Sequence, residues 1–406
     1  MAPILAVPEG PEQGVSPAAG AAPSIAERRG RHHVVRERAG ASVIGCACMD
    51  LRLRISQAGL RRGMPPATFP DMSRVVCFGE LLIRLSSPGH ALLTQAPALE
   101  LHVGGAEANV AIALACLGHP ARMVSAVPDN PLGQRAVEFL RAHGVDCDAV
   151  QVRPGRMGLY LHSPGVGLRP AQILYDRAGS AFAAAPPDCF DWDRALEGAG
   201  RLHVSGVTAA VAAGPAQAAL HAVRAAQARG VALSFDCNFR ASLWASRGAE
   251  PRPVLTPLIE PADVLFGNHR DASLLLGRAF PGESAQERRE AALALFAAFP
   301  GLRLIASTLR RVDSADCHRI AARIDTRDGE LETEQIALTG VVERIGAGDA
   351  FAAGVLHALA TDGEPRHIAE TGLALACLKH FLPGDASTLT EAQLRSACAG
   401  GLDVRR

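Results

Sequence analysis

Lysine is almost missing from this 406-residue chain, in which Lys379 is the only one. Phosphate-binding loops of the Walker type need a lysine directly after a glycine, where it reaches the phosphates of a nucleotide. Lys379 instead follows Leu378 inside a predicted helix, so the chain has no such loop. Any bound phosphate would have to be neutralised by arginine, magnesium and backbone amides.

Several other absences narrow the class of protein. No apolar run is long enough to cross a bilayer, and the formal net charge of zero gives no electrostatic footprint for nucleic acid. The ten cysteines contain no C-x-x-C pair, which argues against a zinc site or a disulfide framework and fits small core residues in a reducing compartment. We therefore expect a soluble, cytoplasmic protein whose partners include neither a membrane nor a nucleic acid.

Familiar catalytic motifs are missing as well. Gly346 and Gly348 are not followed by a third glycine three residues on, where Phe351 lies, so the dinucleotide-binding fingerprint fails. Neither H-E-x-x-H nor G-x-S-x-G occurs in the chain. A dehydrogenase is therefore a poor second interpretation.

The first seventy residues differ from the rest of the chain. They are rich in Pro, Gly, Ala and Arg and show no sustained hydrophobic period, which is typical of a disordered segment. Scattered glutamates and the lack of an apolar core speak against a targeting peptide. An alternative is that translation begins at Met72, because residues 72–80 lead directly into the first strand. We expect residues 1–72 to be an extension and residues 73–395 to form the functional domain.

From residue 75 onward, apolar strands alternate with helices. The hydrophobic pattern predicts helices at 106–117, 132–143, 215–228 and 285–299, and strands at 75–78, 121–127, 201–205, 232–236, 264–267 and 302–307. Such alternation implies an α/β fold with a parallel sheet and helices on both of its faces. Ligands of these folds bind beyond the carboxyl ends of the strands.

Two segments interrupt the alternation. Short strands within 81–103 and a hairpin within 157–177 predict a small sheet outside the main layer. Both tyrosines of the chain, Tyr160 and Tyr175, lie on opposing strands of the hairpin. In a protein this poor in aromatic residues, their placement favours a substrate-facing role, although tyrosines on a half-exposed hairpin also serve packing alone.

A glycine-rich turn precedes an apolar helix near the end of the chain. Gly346, Ala347 and Gly348 run into a helix predicted over residues 349–360. The free amides and the dipole of a helix N-terminus attract anions, and glycine lets a phosphate approach the backbone. Asp349 would be repelled by such a phosphate, which fits a base that takes a proton from an attacking hydroxyl. On spacing alone, Asp349 fits equally well as an ordinary helix cap.

Two stretches together resemble the signatures of a known family. GGAEANVA at 104–111 and RIGAGDAF at 344–351 occur in this order on a βαβ pattern, as they do in the ribokinase-like (PfkB) carbohydrate kinases. Within that family the chain is most similar to 2-keto-3-deoxygluconate kinases, through GELL at 79–82, GLY at 158–160, YDR at 175–177 and FDCNFRASLW at 235–244. The resemblance implies a ribokinase-like parallel sheet with a β-sheet lid.

The resemblance also implies catalytic and substrate-binding roles. Asp349 matches the base that deprotonates the sugar hydroxyl, and the residues before it match an anion hole for the transferred phosphoryl group, formed by Gly346, Ala347 and Gly348. Substrate contacts are implied for a further set of residues, namely Gly105, Tyr160, Tyr175, Arg177 and Arg240.

The two arginines of that set bear on the kind of sugar. A keto acid presents a carboxylate that a guanidinium can bind in bidentate fashion, so Arg177 and Arg240 favour an acidic sugar over fructose or ribose. The alternative is that Arg177 pairs with Asp176 or solvent, and that Arg240 only orders its loop.

The nucleotide and metal positions depart from the family pattern. The usual Asn-x-x-Glu is replaced by NHRD at 268–271, where Asp271 either organises magnesium or only supplies charge to a helix N-terminus. The usual lysine-containing nucleotide loop is replaced by a segment in which Arg310 stands in for lysine. The resemblance thus implies a Mg²⁺ contact at Asp271 and ATP contacts at Asn238, Asn268, Thr308, Arg310 and Gly348.

These observations predict a kinase that uses ATP and Mg²⁺ to phosphorylate the C6 hydroxyl of 2-keto-3-deoxygluconate. The lid would exclude water from the reaction and join subunits into a homo-oligomer. Two alternatives stay open: another ribokinase-like sugar kinase such as a fructokinase, and a catalytically weak regulator that binds sugar or nucleotide. Asp349 argues against a regulator, because binding alone has no use for a base.

Overall fold

The computed structural model describes residues 73–361 and 363–399, so the expectations for residues 1–72 lie outside the described residues. The first half of the described chain contains β1 (Val75–Phe78), β2 (Leu82–Ser86), β3 (Glu100–Gly104), α1 (Ala106–Cys116), β4 (Ala121–Pro128), α2 (Pro131–Ala142), β5 (Asp146–Arg153), β6 (Gly158–Ser163), β7 (Gln172–Asp176), α3 (Trp192–Ala195), β8 (Arg201–Ser205), α4 (Gly206–Val211) and α5 (Ala213–Ala228). The second half contains β9 (Ala232–Asp236), α6 (Ala241–Arg247), α7 (Pro251–Ile259), β10 (Val264–Phe266), α8 (His269–Leu276), α9 (Ala285–Ala298), β11 (Leu304–Val312), β12 (Cys317–Asp325), β13 (Glu330–Glu332), β14 (Ile336–Thr339), α10 (Ala347–Thr361), α11 (Pro365–Lys379) and α12 (Glu391–Cys398). No helix among these has the length and apolarity that a membrane span requires.

The main sheet has ten strands within the described chain, in the order β13, β12, β11, β10, β9, β8, β1, β4 and β5, with β14 also paired to β12. Every pair from β11 to β5 is parallel, whereas β12 is antiparallel to its three partners. Parallel neighbours need crossover connections, which the intervening helices supply. The predicted α/β class is confirmed. The antiparallel strands at one edge of the sheet were not predicted.

The sheet separates two apolar cores. Along β1, Val75 and Cys77 pack into one core with α1, α10 and α11, while Val76 and Phe78 pack into the other with α5, α7 and α9. Side chains of a strand point alternately to the two faces of its sheet, so β1 is buried on both sides. Helices therefore cover both faces, as the alternation predicted.

A second sheet of four strands lies outside the main one, in the order β3, β2, β6 and β7. Strand β2 is antiparallel to β3 and parallel to β6, and β6 and β7 form the predicted hairpin. Opposite residues form a row across this sheet, which consists of His102, Arg84, Tyr160 and Tyr175. The prediction of a small separate sheet is confirmed, and we call it the lid.

Candidate active site

A large cleft of about 1130 Å³ opens beyond the carboxyl ends of the parallel strands. Asp236, the last residue of β9, and Asn268, which follows β10, line the cleft together with Tyr175 of the lid. All the residues to which the sequence assigned a site role except Asp271 line this cleft, namely Gly105, Tyr160, Tyr175, Arg177, Asn238, Arg240, Asn268, Thr308, Arg310, Gly346, Ala347, Gly348 and Asp349. Residues separated by more than two hundred positions in the chain thus meet at one surface.

Asp349 lies in the first turn of α10 and is half-buried. Its Oδ2 accepts a hydrogen bond of 2.7 Å from Nδ2 of Asn109, which lies on α1. A cap would accept from amides of its own helix, so this geometry differs from the alternative of a simple helix cap. Burial raises the pKa of Asp349 to about 7, against the lowering effects of the Asn109 hydrogen bond and the charge of Arg240. A carboxyl with this pKa can both take up and release a proton near neutrality.

The two glycines before Asp349 serve different purposes. Gly346 has φ +78°, and a β-carbon there would lie 1.6 Å from the carbonyl oxygen of Asp385. Gly348 faces open space, so a β-carbon would meet nothing within 4 Å. The first glycine is therefore required by the backbone and its packing, and the second keeps the start of α10 accessible from the cleft.

A second carboxyl group in the cleft received no role from the sequence. Asp236 accepts a hydrogen bond of 3.0 Å from the backbone amide of Asn238, whose own φ is +34°. Burial and the nearby charge of Asp349 raise the pKa of Asp236 to about 8. The signal available in the sequence was its position as the last residue of a predicted strand, where parallel sheets place their ligands.

Arg240, Arg310 and Arg344 line the cleft as a cluster of cations, and none of them has a carboxylate partner within the described chain. Arg240 is exposed and donates only to the carbonyl oxygen of Phe239, at 3.3 Å. The pKa of Arg310 is lowered by burial and by the positive charges of Arg344 and Arg240. Cations that repel one another in this way attract an anionic ligand. In the sequence, Arg344 had only a place in the RIGAGDAF motif and no role of its own, so its membership of this cluster was not predicted.

The arginine of the lid is engaged differently. Arg177 is buried, and its Nε and Nη2 lie 2.7 and 2.5 Å from Oε2 of Glu80. Asp176, the partner considered from the sequence, pairs instead with Arg156 at 2.8 Å. The charge of Arg177 is thus already balanced, although the residue lines the cleft, and its contact with a substrate carboxylate stays a prediction.

The hydroxyl of Tyr160 is also engaged, since it donates a short hydrogen bond to Oδ2 of Asp385. Tyr160 is buried, whereas Tyr175 on the neighbouring strand is half-buried, and the two ring centroids are 5.9 Å apart. Of the two tyrosines, Tyr175 is the more accessible to a ligand.

Asp271 is the one predicted site residue that does not line the cleft. Its Oδ2 accepts a hydrogen bond of 2.8 Å from the backbone amide of Asn268, and the two residues form the capping box of α8. Burial raises its pKa to about 6. The geometry matches the alternative of a residue at a helix N-terminus, and a direct contact with magnesium stays a prediction. No three His, Cys, Asp or Glu side chains of residues 73–361 and 363–399 form a metal site by themselves.

The fold and the cleft together are those of a ribokinase-like enzyme: a largely parallel sheet, a separate lid, and a carboxyl group at a glycine-lined helix start. Residues 72–392 match the profile of the pfkB family carbohydrate kinases, and the chain belongs to this family. It is therefore a carbohydrate kinase, as the two sequence signatures indicated.

Three relatives show which members of the family this chain is similar to. The 2-dehydro-3-deoxygalactonokinase of Haloferax volcanii is 32% identical over 330 residues, which cover 81% of this chain and 98% of that protein. The 2-dehydro-3-deoxygluconokinase of Thermoproteus tenax is 34% identical over 233 residues, covering 56% of this chain and 69% of that protein. The crystal structure of 2-dehydro-3-deoxygluconokinase from Thermotoga maritima is 32% identical with a TM-score of 0.76, covering 80% of this chain and 99% of that one. The resemblance to kinases of this branch is confirmed.

Proposed function

We propose that the protein transfers the γ-phosphoryl group of ATP to the C6 hydroxyl of 2-keto-3-deoxy-D-gluconate, also called 2-dehydro-3-deoxygluconate. The observation that carries this proposal is Asp349, a half-buried carboxyl group with a raised pKa. It faces a cleft lined by Arg240, Arg310 and Arg344, none of which has a carboxylate partner among the described residues. A regulator that only binds its ligand needs no such base.

The transfer follows from the positions of these groups. Asp349 accepts the C6 proton as the C6 oxygen attacks the γ-phosphorus, and the bond from that phosphorus to the bridging oxygen breaks to release ADP. Gly346, Ala347 and Gly348 line the cleft at the start of α10, where free backbone amides would face the charge on the transferred group. Fixed amides of this kind stabilise the transition state because they need not reorganise.

The arginines support an acidic sugar. Arg240 is exposed to the cleft and has no carboxylate partner among the described residues, so it is available for the carboxylate of a keto acid. Arg310 and Arg344, farther along the same cluster, are available for the phosphates of ATP, with Asn238, Asn268 and Thr308 as further contacts. A second candidate substrate is the C4 epimer, 2-keto-3-deoxygalactonate, because the Haloferax volcanii relative carries that specificity in its name.

Magnesium fits this cleft only together with the nucleotide. Mg²⁺ prefers oxygen ligands and is commonly held by phosphates, waters and one or two carboxylates. Asp236 offers such a carboxylate in the cleft. Burial and, to a smaller extent, the charge of Asp349 raise its pKa, and a nearby cation would offset the repulsion between the two carboxylates. When bound, the ion would neutralise charge on the phosphates.

The outer face of the lid supports a homo-oligomer. The row of residues next to that of Tyr160 points to the opposite face of the sheet and is wholly apolar, consisting of Leu101, Leu85, Leu161 and Leu174. Its two ends are exposed, Leu101 by 40% and Leu174 by 62%. We propose that a second copy of the chain covers this row.

A coupled kinase assay over a panel of sugars tests the function. We expect 2-keto-3-deoxygluconate or its C4 epimer to give a kcat/KM at least about 100-fold above fructose or ribose, since these lack a partner for Arg240. A preference for fructose would overturn the acidic substrate, and ATP binding without turnover of any sugar would favour the regulator.

The variant Arg240→Ala tests the carboxylate contact in the same assay. Loss of a charge-assisted hydrogen bond should raise KM for the keto acid by about 10-fold or more. Arg156→Ala is the matched control, because Arg156 lies in the loop before β6 and pairs with Asp176 but does not line the cleft. Equal KM values in the two variants would remove Arg240 from the substrate site.

A further inference from the structure

A cluster of buried polar side chains connects the lid to the loop before α10. Arg84 on β2 lies between two carboxylates: its Nη1 is 2.5 Å from Oε2 of Glu343, and its Nε is 3.2 Å from Oδ1 of Asp385. The second contact is an ion pair without the alignment of a hydrogen bond. Tyr160 on β6 donates its hydroxyl proton to the other oxygen of Asp385. Both of these lid strands are therefore tied to Asp385, and β2 is tied to Glu343 as well.

The cluster is buried at the wall of the cleft, and its charges balance. Arg84 is 1% exposed, Asp385 3% and Lys379 0%. The pKa of Lys379 is lowered to about 8 by burial, against the raising effect of Glu343 and Asp385, and its Nζ donates to the carbonyl oxygen of Leu382 at 3.1 Å. Two cations thus offset two carboxylates. Buried ion pairs of this kind contribute little net stability, because desolvation costs as much as the attraction returns.

The same two acidic residues contact the anion-binding loop, Glu343 through its carboxylate and Asp385 through its backbone carbonyl. Oε1 of Glu343 accepts a hydrogen bond of 3.0 Å from the amide of Ile345. The carbonyl oxygen of Asp385 lies where a β-carbon of Gly346 would be, and its carboxylate lies 2.0 Å from the position of a β-carbon on Gly104 of the lid. Asp385 is therefore packed closely against Gly104 of the lid on one side and Gly346 of the loop on the other.

We infer that Arg84 and Asp385 are positioning residues that couple the lid to the anion-binding loop, residues 343–348, so that the amides of the loop hold their geometry only while strands β2 and β6 are in place. This inference rests on the proposed function for its kinetic readout. Neither residue acts on the substrate in it, since both act through the loop. A misplacement of about 1 Å at such a site can cost about 100-fold in rate.

The experiment compares Arg84→Lys, Asp385→Asn and Tyr160→Phe with the wild type. We expect kcat to fall about 10- to 100-fold for the first two variants, because the loop amides act only in the transition state, while KM for ATP and sugar changes less than about 3-fold. Tyr160→Phe removes only one tie to the lid and should show a smaller fall in kcat. Hydrogen exchange of the peptide spanning residues 343–348 should be faster in all three.

The matched control is Arg201→Lys. Arg201 is fully buried and forms two bonds of 2.6 and 3.0 Å to Asp263, but it lies at the amino ends of the parallel strands, away from the cleft. This substitution should lower the melting temperature without changing kcat or the exchange of residues 343–348.

The outcomes distinguish a failure of the proposed coupling from a failure of the proposed function. If Arg84→Lys and Asp385→Asn lose only as much activity as the control and leave exchange of the loop unchanged, the coupling is wrong and the cluster is merely structural. If the wild type phosphorylates no sugar, the proposed function fails, and loop exchange in the three variants still decides the coupling. Tyr160→Phe keeps the charges of the cluster, so it serves where the charge variants do not fold.

Discussion

At the scale of single residues, the environment of Asp349 sets when the proposed base can act. Burial favours the neutral carboxylic acid and raises the pKa, whereas the Asn109 hydrogen bond and the charge of Arg240 favour the carboxylate. The balance leaves the pKa at about 7. A base whose pKa lies near the working pH combines a useful ionised fraction with a strong affinity for the proton.

Replacement of this carboxyl group should separate catalysis from stability. We expect Asp349→Asn to lower kcat by at least about 100-fold, because the amide cannot accept the C6 proton. The pKa of Asp349 is higher in the folded protein than the ordinary value of 3.8 for an aspartate, so ionisation lowers stability progressively as pH rises from about 4 to about 7. The variant should therefore melt at an equal or higher temperature at pH 8. Residual turnover above a few per cent would exclude Asp349 as the base.

The pH profile tests the same pKa in the intact enzyme. Since the carboxylate is the active form, kcat/KM should rise as pH increases through about 7 and then level off. Asn109→Ala removes the hydrogen bond of 2.7 Å that stabilises the carboxylate, so the rising limb should move to higher pH. Asn130→Ala is a suitable control, because Asn130 caps α2 through the amides of Leu132 and Gly133 and does not line the cleft. An unshifted limb in Asn109→Ala would show that another group controls the profile.

At the scale of elements, the two glycines at the start of α10 differ in whether they can accept a side chain. Gly346→Ala would force a β-carbon against the carbonyl oxygen of Asp385 at a φ of +78°, so it should lower the free energy of unfolding by about 1–3 kcal/mol. Gly348→Ala meets nothing within 4 Å and should leave the melting temperature unchanged or raise it, since alanine favours a helix.

Activity should distinguish the same two variants. The methyl group of Gly348→Ala enters the cleft where the transferred phosphoryl group is proposed to lie, so kcat should fall although the fold is intact. Calorimetry and steady-state kinetics on both variants check this pair. Full activity in Gly348→Ala would place the phosphoryl group elsewhere.

The strands show what the sequence could predict. β1 and β10 are short apolar runs buried on both faces, so their pattern is unambiguous. β5 was missed because it is an edge strand in which polar residues alternate with apolar ones. β13 and β14 were missed for a related reason, since these short edge strands carry exposed residues that resemble loops. β12 is a largely buried strand, and it was missed although arginines interrupt its apolar residues only at Arg319 and Arg323.

The candidate site also contains contacts that the sequence could not predict. The sequence motifs assigned Asp349, the glycines before it, Arg240 and Arg310 to one site. This was possible because the topology of a parallel sheet places ligand-binding residues beyond the carboxyl ends of its strands. They could not show that Arg177 pairs with Glu80, which is 97 positions away, or that Tyr160 pairs with Asp385. Such partners depend on how the lid packs against the main sheet, and no local sequence pattern specifies which distant residues meet.

At the scale of the whole molecule, the lid has two faces with different chemistry. The row of His102, Arg84, Tyr160 and Tyr175 has Tyr160 and Tyr175 among the residues that line the cleft. The opposite row is apolar, with Leu101 and Leu174 exposed at its ends. An exposed apolar row on a sheet that must also close a reaction site is best covered by another subunit, which would hold the lid in place.

The double variant Leu101→Asp with Leu174→Asp tests this arrangement. Two charges on the apolar row should prevent association, so the mass in solution measured by light scattering should fall to that of one chain. Leu293→Asp is the matched control, because Leu293 is 44% exposed on α9 and lies outside the lid. We also expect kcat of the double variant to fall, since a lid without its neighbour excludes water less well. If the wild type already has the mass of a single chain, or if the double variant keeps the mass of an oligomer, the lid is not the interface.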